Sequence, residues 1–188
     1  MKSVLIILSL LIFCSGSSSE DVLSSHEIQV TYMNYSENGD YESTDCFSNK
    51  KCVYSFHNTE NKLVSVVNFK TEQIEMIASD PAWNGRTAFK EWESLEAMVD
   101  IDDPLYIPEF DVSFSEETKE ICSIKCKKLI ASDKGENYKI WYFVPETIKT
   151  ERINAYTGYK QIPGIIMEMS KDGILIRKAI KLDDQCDW

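Results

Sequence analysis

The chain has 188 residues, 43% of them apolar, which is enough for one domain with a single hydrophobic core. It carries 20 Lys and Arg against 31 Asp and Glu, a net charge of −11, and an acidic surface of this kind repels phosphate backbones. The composition therefore excludes nucleic acid as an expected partner, and it shows none of the bias typical of disordered or collagen-like chains.

The N-terminal segment has the pattern of a signal peptide. Lys2 supplies a positive charge, residues 4–13 form an almost unbroken apolar run, and small polar residues follow. Ten apolar residues are too few to span a bilayer, so we expect no transmembrane span here or later in the chain. The sequence predicts a signal peptide at 1–19, a single domain at 20–188, and export to the periplasm or the medium. Residues 11–14 also suggest a lipoprotein box, and the alternative is therefore a lipid anchor at Cys14.

Most of the exported chain alternates between apolar and polar residues, a period typical of half-buried strands. This alternation predicts a mainly β fold of the α+β class, with a curved antiparallel sheet or half-barrel. The dipeptide Asp172-Gly173 predicts a two-residue hairpin, and the segment 133–135 predicts another turn. Residues 115–119 are also expected to form a hairpin turn. The predicted strands lie at 28–33, 52–57, 63–69, 73–78, 110–114, 121–132, 138–144, 165–169 and 174–182.

One or two helices are expected to cover the sheet. Phe89, Trp92, Leu95 and Val99 recur every three or four residues, which predicts an amphipathic helix over 87–99. Its aromatic stripe either covers the sheet or lines a ligand cavity. The segment 145–160, between two predicted strands, is expected to be a mobile excursion.

The cysteines predict disulfides rather than a metal or redox site. Six are present, and removal of residues 1–19 leaves five, so at least one does not pair within the chain. Cys46 and Cys52 flank a short loop, so that a bridge between them could close a hairpin. A second bridge could join Cys122 or Cys126 to Cys186 on a neighbouring strand. Their spacings are not those of zinc sites, and we expect no cofactor.

The C-terminal half resembles the GLPGLI family of exported bacterial proteins. Residues 161–166 read Gln-Ile-Pro-Gly-Ile-Ile, which is similar to the Gly-Leu-Pro-Gly-Leu-Ile signature of that family. The glycine-proline pair and the Phe-Gly-Gly run that usually precede the signature are replaced, which would make this chain a divergent member. The other matching segments, in order, are 117–121, 126–128, 141–142 and 145–146.

The resemblance implies an exported envelope protein with a single GLPGLI-like antiparallel β domain, and it brings no catalytic residues. In pattern the chain is also similar to the half-barrels of lipoprotein-sorting carriers, an analogy of fold alone. Pro163 suits the first residue of a strand, because it lacks an amide donor. Gly164 permits a bend or a close backbone approach.

These observations predict a non-enzymatic envelope protein that binds a hydrophobic small molecule or a protein on its curved sheet. The candidate contacts are Trp92, Tyr156, Tyr159, Pro163 and Gly164. One alternative is a structural or assembly protein whose sheet edge pairs with a partner. Another is a hydrolase, although no serine lies in a nucleophile-elbow motif. The sequence leaves the oligomeric state open.

Overall fold

The computed structural model describes residues 25–37, 39–57, 62–71, 73–78, 87–91, 111–133, 135–150, 153 and 161–186. These residues contain eleven strands and no helix, and all the strands belong to one sheet. The predicted antiparallel β fold is confirmed. The strands are β1 (Glu27–Asn34), β2 (Tyr41–Ser48), β3 (Lys51–His57), β4 (Lys62–Asn68), β5 (Gln73–Ala78), β6 (Thr87–Glu91), β7 (Asp111–Ile121), β8 (Ile124–Asp133), β9 (Glu136–Phe143), β10 (Ile165–Lys171) and β11 (Ile174–Asp183).

The sheet consists of two meanders that meet at the first and last strands. Its order is β6-β5-β4-β3-β2-β1-β11-β10-β9-β8-β7, and all neighbouring strands are antiparallel. Register shifts interrupt four of the ladders: β1/β11, β10/β11, β9/β10 and β7/β8. Such bulges bend a strand and increase its twist, which gives the sheet curvature. Among the described strands β6 and β7 are the two edges, so this part of the chain forms an open sheet.

Apolar side chains cover both faces of the sheet, as the alternation along β9 shows. Trp141 and Phe143 belong to a large buried cluster, which defines what we call the main face. Ile140 and Tyr142 belong to a smaller cluster on the opposite, second face. A fully buried aliphatic side chain contributes about 1.5–3 kcal/mol, so both clusters stabilise the sheet. The main face also carries Ile28, Val30, Tyr32, Phe47, Cys52, Tyr54, Val67 and Leu182, and the second face carries Leu129, Ala131, Ile162 and Ile166.

Two of the predicted turns are confirmed. Asp172 and Gly173 have φ values of 48° and 85° and join β10 to β11 as a two-residue loop. Positive φ at both positions is what a type I′ hairpin requires, and Asp-Gly supplies it at little steric cost. Gly135, with φ at 90°, likewise lies in the connection from β8 to β9.

The predicted hairpin turn at 115–119 is wrong. β7 continues to Ile121, and a register shift between Ser115 and Thr118 accommodates the acidic residues as a bulge. The chain turns at Cys122 and Ser123, whose φ values are 50° and 63°. This turn contains no glycine, although non-glycine residues rarely adopt positive φ. The ladder between β7 and β8 holds Cys122 and Ser123 in this conformation.

The helix predicted over 87–99 is wrong in its first five residues. Thr87–Glu91 form β6 and pair with β5 in regular antiparallel register from Ile77↔Thr87 to Gln73↔Glu91. Thr87, Phe89 and Glu91 also fit a period of two, and pairing with β5 satisfies their backbone groups. The remainder of the predicted helix, with Trp92, lies outside the described residues.

Candidate functional site

The structure places only two of the five predicted contact residues. Pro163 is exposed and Gly164 is buried, immediately before β10. The Pro163 carbonyl accepts a hydrogen bond from Thr150 Oγ1 at 2.9 Å. Trp92, Tyr156 and Tyr159 lie outside the described residues, so their predicted role stays a prediction.

Gly164 lies where two backbone segments nearly touch. A Cβ at this position would be 2.2 Å from the carbonyl oxygen of Phe143 and 2.9 Å from Cδ2 of Tyr142. Both atoms are held by the core, so neither can move away cheaply. The glycine in the Pro-Gly pair therefore has a structural reason that requires no ligand.

Substitution of Gly164 by alanine is expected to lower the free energy of unfolding by about 1–3 kcal/mol or more, because the added methyl group overlaps backbone atoms. Urea denaturation followed by tryptophan fluorescence measures this change. The control is Pro163→Ala at the exposed neighbouring position, for which we expect a loss below about 1 kcal/mol. Equal losses of unfolding free energy for the two variants would contradict the claim that the close backbone approach at Gly164 excludes a side chain.

A buried ion pair lies on the main face, where β1, β2 and β11 are adjacent. Arg177 Nη2 donates to Asp45 Oδ2 at 2.6 Å, and the side chains are 22% and 3% exposed. The guanidinium carbon lies 3.6 Å from the centroid of the Tyr32 ring. Arg177 Nη2 also lies 3.3 Å from Ser43 Oγ, which accepts a 2.8 Å hydrogen bond from Asn34 Nδ2. These contacts connect three central strands through polar groups.

The two buried tyrosines of the main face donate hydrogen bonds to backbone carbonyls. Tyr32 donates to the carbonyl of Ile166 at 2.8 Å, where the β9/β10 register is shifted, and Tyr54 donates to the carbonyl of Ile153. Burial raises the pKa of both phenols, and the nearby Asp45 raises them further. Both hydroxyls therefore remain protonated donors, a structural role rather than that of a general base.

The connection from β9 to β10 covers part of the main face with its described residues 144–150 and 153, and the predicted mobility of 145–160 stays a prediction. Ile148 and Ile153 are buried in the main cluster. Asn49 Nδ2 donates to the carbonyl of Thr147 at 2.6 Å, and Asn49 Oδ1 accepts from the amide of Lys149 at 2.8 Å. Part of the main face is thus occupied by the chain itself.

The structure has a disulfide, but the predicted pairings are wrong. Cys46 is bonded to Cys186, with Cα atoms 5.9 Å apart, whereas Cys52 and Cys126 are buried thiols. In the β2/β3 ladder Cys46 pairs with Val53 and Phe47 pairs with Cys52. Cys46 and Cys52 therefore point to opposite faces of the sheet and cannot bond. Cys186 is bonded to Cys46 and so is not joined to Cys126.

Burial raises the pKa of the Cys52 thiol to about 12, from an ordinary value of 9.0. The thiol of an unfolded chain ionises first, so the contribution of Cys52 to stability is complete below about pH 9 and is lost as the pH rises to about 12. Unfolding free energies measured from roughly pH 8 to 11 should fall, by at most about 1.4 kcal/mol per pH unit for this thiol. Cys52→Ala should reduce that slope, and an unchanged slope would contradict the assignment.

Ion pairs connect the second half of β7 to other strands of the sheet. Lys119 Nζ lies 2.6 and 2.7 Å from the two carboxylate oxygens of Glu168 on β10. It also lies 5.6 Å from the centroid of the Trp141 ring on β9. Lys128 on β8 forms a second ion pair, at 2.6 Å, with Glu117 in the bulge. Charged side chains and a bulge are two features that protect a sheet edge from pairing with another strand, and this half of β7 has both.

The first half of β7 lacks these devices and forms our candidate functional site, which we call the open edge and define as residues 111–115. Among the described strands β7 pairs only with β8, and the ladder is regular from Asp111↔Ser132 to Ser115↔Lys128. Val112 packs against the second-face cluster, whereas Phe114 is 62% exposed. Asp111 is the one charged residue of the open edge. This edge can therefore accept another strand.

Two further structural findings bear on function. Among the described residues no helix is long and apolar enough to cross a membrane. In the same part of the chain no three His, Cys, Asp or Glu side chains are grouped so that they could hold a metal ion.

Comparison with known proteins identifies a fold. No protein-family model matches the chain, and no curated protein sequence matches it. The chain is similar to PNGF-II in its C2 crystal form, with a TM-score of 0.55 and 14% identity over 86% of this chain and 28% of PNGF-II. The P21 form of PNGF-II gives a TM-score of 0.53 and 13% identity over 87% of this chain and 29% of that one.

The chain thus spans less than a third of PNGF-II, and at these identities the similarity shows the fold alone. A further match is MucB in its complex with MucA(peri), over 88% of this chain and 52% of MucB at 10% identity. Its TM-score of 0.34 is too low to support an argument.

The sequence did not single out the open edge or the ion pair. Alternation of Val112 and Phe114 predicted a strand but could not show that β7 ends the sheet. Asp45 carried no clear signal, because it lies in a mostly polar stretch, Ser43-Thr44-Asp45-Cys46-Phe47-Ser48. Its partner Arg177 lies 132 residues away.

Proposed function

We propose that this chain is an exported, non-enzymatic envelope protein of the GLPGLI type that binds a protein partner by β-strand addition at the open edge. The observation that carries the proposal is the exposure of Phe114 on the open edge, where the ladder to β8 is regular and Asp111 is the one charged residue. In strand addition, main-chain hydrogen bonds supply affinity and side-chain contacts supply specificity. A partner segment with an apolar residue beside Phe114 would cover that ring.

The extracytoplasmic location is supported by the Cys46–Cys186 disulfide, because such bonds form and persist in oxidising compartments. The signal-peptide pattern of residues 1–19 and the GLPGLI-like segments point the same way.

A protein partner is favoured over a hydrophobic small molecule by the cover on the main face. Ile148 and Ile153 of the chain itself lie there, and the Tyr32 and Tyr54 hydroxyls are bonded to its backbone. Among the described residues, the open edge combines an exposed aromatic ring, that of Phe114, with a strand that pairs on one side only.

A non-enzymatic role is supported by the state of the buried reactive groups. Asp45 is held in an ion pair by Arg177, and Glu168 is held by Lys119. Burial keeps the Cys52 thiol protonated at neutral pH, and a protonated thiol is not the nucleophilic form.

A photo-cross-linking residue at Ser113 in the full chain, expressed with its own N-terminal segment, tests the proposal. The matched control is Glu42, which is also exposed but lies on the interior strand β2. We expect one adduct of defined mass from position 113, none from position 42, and loss of the adduct when Phe114→Glu is added. Equal adducts from both positions, or an adduct that Phe114→Glu leaves unchanged, would contradict strand addition.

A further inference from the structure

The geometry of the open edge points to a specific partner, and this inference rests on the proposed function. We propose that the partner strand is the same strand of a second copy of this chain, paired antiparallel about a two-fold axis at Ser113. A two-fold interface brings the same surface patch of each copy together, so each contact occurs twice. Each copy would extend the sheet of the other across the axis.

In this register the side chains are complementary. Val112 of one copy lies opposite Phe114 of the second copy, and the reverse contact is identical. Val112 pairs with Ala131 and Phe114 pairs with Leu129 within one copy, and both partners are buried on the second face. The second-face apolar row would therefore continue across the axis and cover the exposed Phe114 ring. Cross-strand aromatic and β-branched pairs of this kind stabilise sheets.

The charges are also compatible with this register. The Asp111 carboxylate of one copy faces the Ser115 hydroxyl of the second copy, with no like charge directly opposite. An axis at Phe114 would instead place Val112 opposite Glu116, and an axis at Ser115 would place Phe114 opposite Glu116. An axis at Glu116 or at Glu117 would place that acid opposite its own copy, which is destabilising, and would lie in the bulge.

The Ser113 axis leads to a sharp geometric test. A residue on the axis lies directly opposite itself, with Cα atoms about 4.5–5.5 Å apart, which is within the range that a disulfide accepts. Two Ser115 residues would instead be displaced by four positions along the strands, about 13 Å, which is too far. Both side chains are accessible, since Ser113 is exposed and Ser115 is half-buried.

The experiment compares Ser113→Cys with Ser115→Cys in the exported full chain. Both carry Cys122→Ser, which removes the half-buried thiol and leaves the buried Cys52 and Cys126. On non-reducing gels we expect most of the Ser113→Cys chain to run as a dimer and the Ser115→Cys chain to run as a monomer. Reductant should convert the Ser113→Cys dimer to monomer. A monomeric Ser113→Cys chain, or equal dimer from both, would overturn the inference.

The photo-cross-link at Ser113 distinguishes a failure of the second-copy inference from a failure of strand addition itself. An adduct with twice the mass of the chain supports the second copy. An adduct with a different protein, lost in Phe114→Glu, overturns the second copy and leaves strand addition standing. If neither the cysteine nor the photo-cross-linker captures anything, both proposals fail.

Discussion

Replacement of Asp45 by asparagine is expected to lower the free energy of unfolding by about 3 kcal/mol. The substitution nearly preserves shape but leaves the Arg177 guanidinium without its carboxylate partner at 2.6 Å. Breaking a buried pair by removal of one partner costs about 3–5 kcal/mol. Arg177 is 22% exposed, and solvent screens part of its charge, so we expect the lower end of that range. Urea denaturation with two spectroscopic probes measures the loss.

A double-mutant cycle shows whether the ion pair causes that loss. Arg177→Met alone is expected to cost at least as much, because it leaves the more deeply buried carboxylate of Asp45 unneutralised. The double variant Asp45→Asn/Arg177→Met contains no buried charge at this place and should recover part of the stability. If the two single losses simply add in the double variant, the pair is not what stabilises the centre of the sheet.

Removal of the disulfide by Cys46→Ser is expected to lower the free energy of unfolding by about 2–5 kcal/mol. The bond joins residues 140 positions apart, so it restricts most of the unfolded chain. It also joins the segment that follows β11 to β2, which lies two strands away from β11 in the sheet. Chemical denaturation with and without reductant measures the effect.

The disulfide prediction has two internal controls. Reductant should destabilise the unmodified chain by the same amount as Cys46→Ser, and it should leave the Cys46→Ser variant unchanged. Cys122→Ser replaces a thiol at the β7–β8 turn and should have a much smaller effect. Full stability of the Cys46→Ser variant in oxidising buffer would contradict the structural role of this bond.

Local patterns in the sequence predicted nine of the eleven described strands and two of the turns, because these depend on nearby residues; β2 was not predicted, and β6 was predicted as helix. Alternation specifies which side of a strand is buried, and Asp172-Gly173 supplies the two positive φ values of its turn. The turn at Cys122-Ser123 was missed because its conformation is imposed by the β7/β8 ladder rather than by turn residues.

Long-range pairings could not be predicted in the same way. The pairing of Cys46 with Cys186 follows from the ladder register, which places Cys46 opposite Val53 and on the other face from Cys52. The pairing of Asp45 with Arg177 requires β1 and β11 to be neighbours. Local alternation of apolar and polar residues determines neither the register nor the order of the strands.

The sequence predicted the kind of candidate site, a sheet edge, but not its location. A sheet edge that pairs with a partner was one alternative from the sequence, and its location depends on which strands end the sheet. Phe114 was expected only to alternate with polar neighbours, whereas the structure leaves its ring exposed on an edge strand. The Pro163-Gly164 pair was expected as a contact, and the geometry of Gly164 explains it by backbone packing.

The most direct test of strand addition is hydrogen exchange of the backbone amides in β7. The chain is isolated from the envelope with its bound partner, and the Phe114→Glu variant is isolated in the same way. We expect the amides of residues 111–115 that point away from β8 to exchange at least about tenfold more slowly in the unmodified chain, with 118–121 the same in both. Equal exchange of residues 111–115 in the two samples would contradict the pairing of this edge with a partner.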